Sequence, residues 1–201
     1  MREHSAWKTR ESLLIRVKDQ EDEQSWEDFV NYYRPFIYNL IRSMNIQHHD
    51  AEEIVQTVLL KSWNKLPYFE YNRGKGRFRG WLCQVSGNAV RDFIRKRRGV
   101  EEHSSANVYD YEQALPEANL PEIERLAERE WKRYLSSLAW KNIESKFKPH
   151  VAKTFLMAVE GIPPENIVSE LGIAKSSVYV YKSRVQKELR AEIIRLNRRL
   201  G

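Results

Sequence analysis

Two short stretches carry side chains able to hold a polyanion. Residues 78–98, FRGWLCQVSGNAVRDFIRKRR, combine core-type aromatics, Phe78, Trp81 and Phe93, with cations that end in Arg95, Lys96, Arg97 and Arg98. Residues 175–187, KSSVYVYKSRVQK, repeat Lys175, Ser176, Tyr179, Ser183 and Lys187 at helical steps. Ammonium and hydroxyl groups bond phosphate oxygens and base edges. Catalytic groups are harder to find. His48, His49 and Asp50 are adjacent, but neighbouring histidines in a turn rarely converge on one metal. His4, His103 and His150 are scattered. There is no Gly-rich phosphate loop, nucleophile elbow or HExxH. The expectation is a protein with no catalytic residues, no metal and no cofactor.

The elements that must position these groups are helices. Gly (8) and Pro (7) are sparse among 201 residues, which disfavours an all-β fold with many tight turns. Leu, Glu, Lys and Arg favour helix. Trp26, Phe29, Val30, Tyr33, Ile37, Leu40 and Ile41 recur at three- and four-residue steps. Pro35 interrupts them and predicts a kink or the first turn of a new helix. Asp50 stands as a helix cap with Glu53 three residues on. Behind it Ile54, Val55, Val58, Leu59, Trp63 and Leu66 make one stripe, ended by Pro67. In 78–98, Trp81, Leu82, Val85, Ala89 and Phe93 line one face. Gln84, Asn88, Arg91, Arg95 and Arg98 line the other. The aromatics and the arginines thus occupy opposite sides of one amphipathic helix.

Residues 99–120 lack periodicity and read as an acidic linker. Pro121 opens a long helix reaching Phe147, Pro149 starts another, and Gly161 stops it. Residues 162–195 then give a short helix (PENIVSEL), Gly172 in position for a left-handed turn, and a longer helix. This is the layout of a DNA-reading helix-turn-helix. Ile167, Val168, Leu171, Val178, Tyr181, Val185 and Leu189 face inward. Ala174 stands where a capping Ser or Thr belongs, which moves the expected cap to Ser176.

The net charge is +6, with basic blocks at 73–98 and 175–199 separated by an acidic one at 101–130, and a further acidic block at 19–28. Two polyanion-facing surfaces follow. Cys83 is the only cysteine, so no internal disulfide forms, which fits a reducing compartment. There is no signal-type apolar core and no run near the ~20 residues that span a bilayer. A cytoplasmic protein with no membrane partner is expected.

These pieces, in this order, resemble the bacterial RNA polymerase sigma factors of the sigma-70 family. The likeness is to the extracytoplasmic-function (ECF) class, over residues 9–195, in a variant like those of planctomycetes. DAEEIVQTVLLKSW (50–63) resembles the family's polymerase-binding helix and 78–98 its promoter-melting segment. SELG…SSVYVYKSRVQKELR, preceded by a long helix with Glu130 and Trp131, resembles its fourth region. The resemblance implies an all-α protein of two small helical domains. Residues 9–98 would be sigma region 2, 99–120 the linker, and 121–201 sigma region 4.

Three surfaces are implied by the same resemblance. Asp50, Glu53, Gln56 and Leu60 would meet core RNA polymerase at its clamp helices, with the fourth region at its flap. Asn88 and Asp92 would face the opened minus-ten strand, with Arg91, Arg95, Lys96, Arg97 and Arg98 on its phosphates. Phe78 and Trp81 would support a stacked base or pack the core. Lys175, Ser176, Ser177, Tyr179, Ser183, Arg184 and Lys187 would read the minus-thirty-five duplex. Promoter DNA and core polymerase are the implied partners, with room for an anti-sigma factor. The alternative is a conventional helix-turn-helix regulator that binds duplex DNA without polymerase.

Overall fold

The computed structural model describes residues 10–69, 78–101 and 120–200; the side chains of 10–12, 98–101 and 120–121 fall outside that description, as do residues 70–77 and the body of the linker. Among the described residues every regular element is a helix: α1 (Arg10–Arg16), α2 (Glu23–Ser43), α3 (His48–Lys65), α4 (Phe78–Glu101), α5 (Leu120–Ile143), α6 (Pro149–Val159), α7 (Pro164–Leu171) and α8 (Lys175–Leu200). No described helix is long and apolar enough to cross a membrane.

Two compact units divide within α5. One comprises Met1–Tyr134 with Arg199–Gly201, the other Leu135–Arg198. The sequence had suggested a border at 120/121. It falls later because Ile123, Ala127, Trp131 and Tyr134, spaced four, four and three apart, form a buried face. Within the first unit Trp131 meets Phe36 of α2 edge-on at 5.0 Å between ring centroids. A Cβ at Gly87 of α4 would lie 2.8 Å from Ile123 Cδ1, so a larger residue there would turn the end of the Ile123 side chain aside. At the other end of the chain, Tyr33 donates a hydrogen bond to the Leu200 carbonyl at 3.0 Å.

In the first unit Asp22 caps α2, its Oδ1 accepting the Ser25 N–H at 3.0 Å while its carboxylate takes the Arg16 guanidinium of α1. Pro35 does not break α2, which runs on to Ser43. Pro35 and Asn31, whose carbonyl loses its usual donor, both lie on the exposed side, so no polar group is buried unpaired. Phe29, Tyr33, Phe36, Ile37, Leu40 and Ile41 carry the core face. Asn45, at φ 62°, makes the left-handed reversal into α3. The buried hydroxyls of Ser62 and Ser86 return to the carbonyls four residues back at 2.8 Å.

In the second unit the predicted turn is present: Gly172 has φ 63° and ψ 32°, and its N–H bonds the Val168 carbonyl. Val151, Phe155 and Val185 form one cluster with Trp140, Phe147, Tyr181 and Leu189 around it; Met157, Ile167 and Val178 form another. Two helix limits differ from the sequence reading. α5 ends at Ile143, and a 3-10 turn, Glu144–Lys146, leads to Phe147. α8 begins at Lys175, so Ser176 lies inside its first turn instead of capping it; the Ser177 N–H bonds the Ala174 carbonyl at 2.9 Å.

Candidate nucleic-acid interface

α4 is amphipathic for a reason visible in its burial. Phe78, Leu82, Cys83, Val85, Ala89, Val90 and Ile94 are buried. Gln84, Asn88, Asp92, Arg95 and Lys96 are exposed, with Arg91 half-buried beside them. Asn88 therefore presents an amide, a donor and an acceptor together, one turn from the Arg91 guanidinium and about two turns from Arg95 and Lys96. Such a face can bond a base edge and hold adjacent phosphates. Burial pushes the Cys83 thiol up to about 12, so it is inert at neutral pH.

Four of the residues named for contact, Asp92, Arg95, Arg97 and Asp50, are already engaged. Asp92 Oδ2 accepts from Lys61 Nζ of α3 at 3.0 Å and its Oδ1 from Arg95 Nη2 at 2.8 Å. The Lys61 hydrogen bond, then the nearby positive charges, hold its carboxyl below the ordinary carboxylate range. Arg97 Nη1 donates to Asp50 Oδ2 at 2.8 Å, and the Arg97 guanidinium lies 5.8 Å from the Phe93 ring centroid. This pair joins a residue assigned to polymerase with one assigned to DNA. Asp50 is not the cap of α3. Gln47 occupies that place, and the Asp50 side chain is 10% exposed inside the first turn. In the His48–Asp50 run, His48 Nδ1 shares a 2.8 Å hydrogen bond with Tyr38 Oη, while His49 Nδ1 lies 3.5 Å from Asp50 Oδ1.

Phe78 cannot stack on a base, because its ring is fully enclosed by Tyr33 at 5.3 Å, Phe69 at 5.5 Å and Phe29 at 6.0 Å. Trp81, half-buried, rests on Phe69 and Phe78 at 5.1 and 5.3 Å. The Arg98 side chain falls outside the described residues. On α3, Glu53, Gln56 and Leu60 form a separate exposed row, Leu60 at 62%. The row lies off the stripe that buries Ile54, Val55 and Val58.

In the second unit α8 turns Lys175, Ser176, Tyr179, Ser183, Arg184 and Lys187 outward, while Ser177 is half-buried. Tyr181 packs inward as expected, its ring 5.5 Å from His150. Arg184 sits 6.0 Å from the Phe147 ring. Lys175 Nζ donates to Glu165 Oε1 of α7 at 2.6 Å. That hydrogen bond lowers the Glu165 pKa and raises that of Lys175. Lys61 and Glu165 escaped the sequence reading. Their partners lie 31 and 10 residues away, and no spacing rule links them.

Comparison with known proteins sharpens the picture. The family model for sigma-70 region 2 matches residues 29–100, from within α2 to the end of α4. The ECF RNA polymerase sigma factor SigE of Mycolicibacterium smegmatis is 24% identical over 182 residues, 90% of this chain and 66% of that protein. The ECF RNA polymerase sigma factor SigW of Bacillus subtilis is 27% identical over 113 residues, 54% of this chain and 59% of that protein. The matches thus span just under two thirds of these curated relatives. A structure of CnrH in complex with the cytosolic domain of CnrY aligns over 90% of this chain and 95% of its own, at 18% identity and a TM-score of 0.37. Sigma-70 region 2 is thus matched across the helices that build the Asn88 face, and two ECF sigma factors stand among the proteins this chain is similar to.

Proposed function

We propose that the chain binds core RNA polymerase, directs transcription initiation at promoters and holds the opened minus-ten strand on α4. Residues 9–98 act as the polymerase-binding and melting domain, 99–120 as the linker, and the unit at Leu135–Arg198 reads the minus-thirty-five duplex through α8. The observation that supports this most is the division of α4. A fully buried side fixes the helix, and its exposed side offers Asn88 among Arg91, Arg95 and Lys96. A separated strand needs a rigid support, because a mobile one would spend contact energy on its own ordering. It also needs cations, which release counterions from the phosphates and make affinity salt-dependent. The exposed row Glu53, Gln56, Leu60 is the proposed polymerase contact, remote in role from the strand-holding side. The chain supplies recognition and strand capture, and the polymerase supplies the chemistry.

The test is reconstitution with core polymerase on a random promoter library. Promoter-selective transcripts and co-elution with the core enzyme are expected. Asn88→Ala should impair promoter opening, read by permanganate reactivity of unpaired thymines, far more than polymerase binding. Equal losses in both assays would sink the strand-holding role. A footprint on duplex DNA by the free protein, without polymerase, would favour the conventional regulator instead.

A further inference from the structure

We propose that Lys61, on α3, is a phosphate-holding residue of the melted-strand face, and that Asp92 is the positioning residue that aims Lys61 and Arg95 at one phosphate. This rests on the function proposed above and adds a second helix to its DNA-facing side.

The geometry begins with the two oxygens of Asp92. One takes Lys61 Nζ at 3.0 Å and the other takes Arg95 Nη2 at 2.8 Å, so a single carboxylate gathers cations from α3 and α4. The side chains remain open to solvent, at 36% for Lys61, 48% for Asp92 and 81% for Arg95. An ammonium has three N–H donors and a guanidinium five. Asp92 accepts one from each in these bonds, so both cations keep donors for a further acceptor. Two cations and one carboxylate leave one net positive charge, which matches one phosphodiester. Without Asp92 the cations would repel each other and sample many rotamers. With it they are held together before the strand arrives.

Asp92 also stands one turn beyond Asn88 on the same helix, and Arg95 lies close by. A base bonded at Asn88 therefore has its backbone near this group. A carboxylate whose two oxygens already each accept from a cation is a weaker acceptor for a base amino group, although lone pairs remain on both. That favours the organising role for Asp92 over direct base reading. The competing account is that the Lys61–Asp92 pair simply ties α3 to α4. Exposed pairs of this kind contribute little to stability, so the two accounts separate in binding measurements.

The experiment uses the full chain assembled with core polymerase and a fork-junction probe drawn from the selected promoters, its minus-ten segment single-stranded. Affinity is titrated against salt for wild type, Lys61→Met, Lys61→Arg and Asp92→Asn. Losing one phosphate contact on a single strand should flatten the log–log salt slope by ~0.7. Between 50 and 200 mM salt, the Lys61→Met complex should therefore lose about 2.6-fold less affinity than wild type. Lys61→Arg should restore the slope. Asp92→Asn should keep or raise affinity for a non-specific single strand while lowering open-complex yield on the selected probe. A wild-type slope in Lys61→Met overturns the proposal, as does an Asp92→Asn protein that opens the probe normally. If wild-type holoenzyme selects no probe, the proposed function itself fails and this inference falls with it.

Discussion

Replacing Asp50 by Asn tests whether the first acidic residue of the DAEE segment faces polymerase or holds the domain together. The carboxylate is one-tenth exposed and takes Arg97 at 2.8 Å, while the Arg97 side chain is 40% exposed. Breaking a fully buried pair from one side costs ~3–5 kcal/mol, and an exposed pair contributes ~0–1 kcal/mol. Arg97 can recover part of its hydration when its partner is neutralised, so the loss should lie between these limits, about 1–2 kcal/mol. At ~4 °C per kcal/mol for a unit of roughly a hundred residues, the melting temperature should fall about 4–8 °C. Circular dichroism melts of the free protein measure this directly. A double-mutant cycle with Arg97→Met, which keeps the aliphatic stem, should return most of the loss as coupling energy. If Asp50 serves only as a polymerase contact, the melt will be unchanged and core-polymerase affinity will drop. That pattern would refute the structural account of the pair.

Two further outcomes follow from the same geometry. Phe78→Ala should destabilise the first unit by ~3–5 kcal/mol, the range for an enclosed aromatic reduced to methyl; a urea melt that leaves the midpoint in place would show that the ring is not packed between Tyr33, Phe69 and Phe29. In the second unit Glu192 accepts from Arg195 at 2.6 and 2.7 Å and from Asn142 at 2.7 Å; the Arg195 hydrogen bond is the main cause of its lowered pKa. A depressed folded pKa means the stabilisation is present above the unfolded value and is lost as pH falls through the folded one. Glu192→Gln should therefore be less stable than wild type at neutral pH, and the difference should close as pH falls below the ordinary carboxylate range. A gap of constant size across that range would assign the loss to something other than the carboxylate charge.

Much of this architecture was legible from local signals. The three- and four-residue spacing of apolar side chains placed α3, α4 and α8, because a helix that must bury one face repeats at that interval. Gly172 announced the turn between α7 and α8, because a left-handed residue there suits glycine. The signals that misled were also local. Pro35 suggested a kink or the first turn of a new helix; α2 runs through it, and the carbonyl it strands faces outward. Asp50 had the type and spacing of a cap, yet α3 starts two residues earlier. Phe78 looked able to support a base, yet four rings lie around it: Tyr33, Phe69, Phe29 and Trp81.

What the sequence determined alone was the helical class, the two-faced character of α4 and the outward row on α8, since each depends only on periodicity within one segment. What only the tertiary structure decided was which charges stay available. Whether Asp50, Asp92 and Lys175 can reach a partner depends on Arg97, Lys61 and Glu165, and two of these three partners come from another part of the fold more than thirty residues away. Charge pairing acts through space, at separations of a few ångströms. No pattern along the chain encodes which distant side chain will stand there.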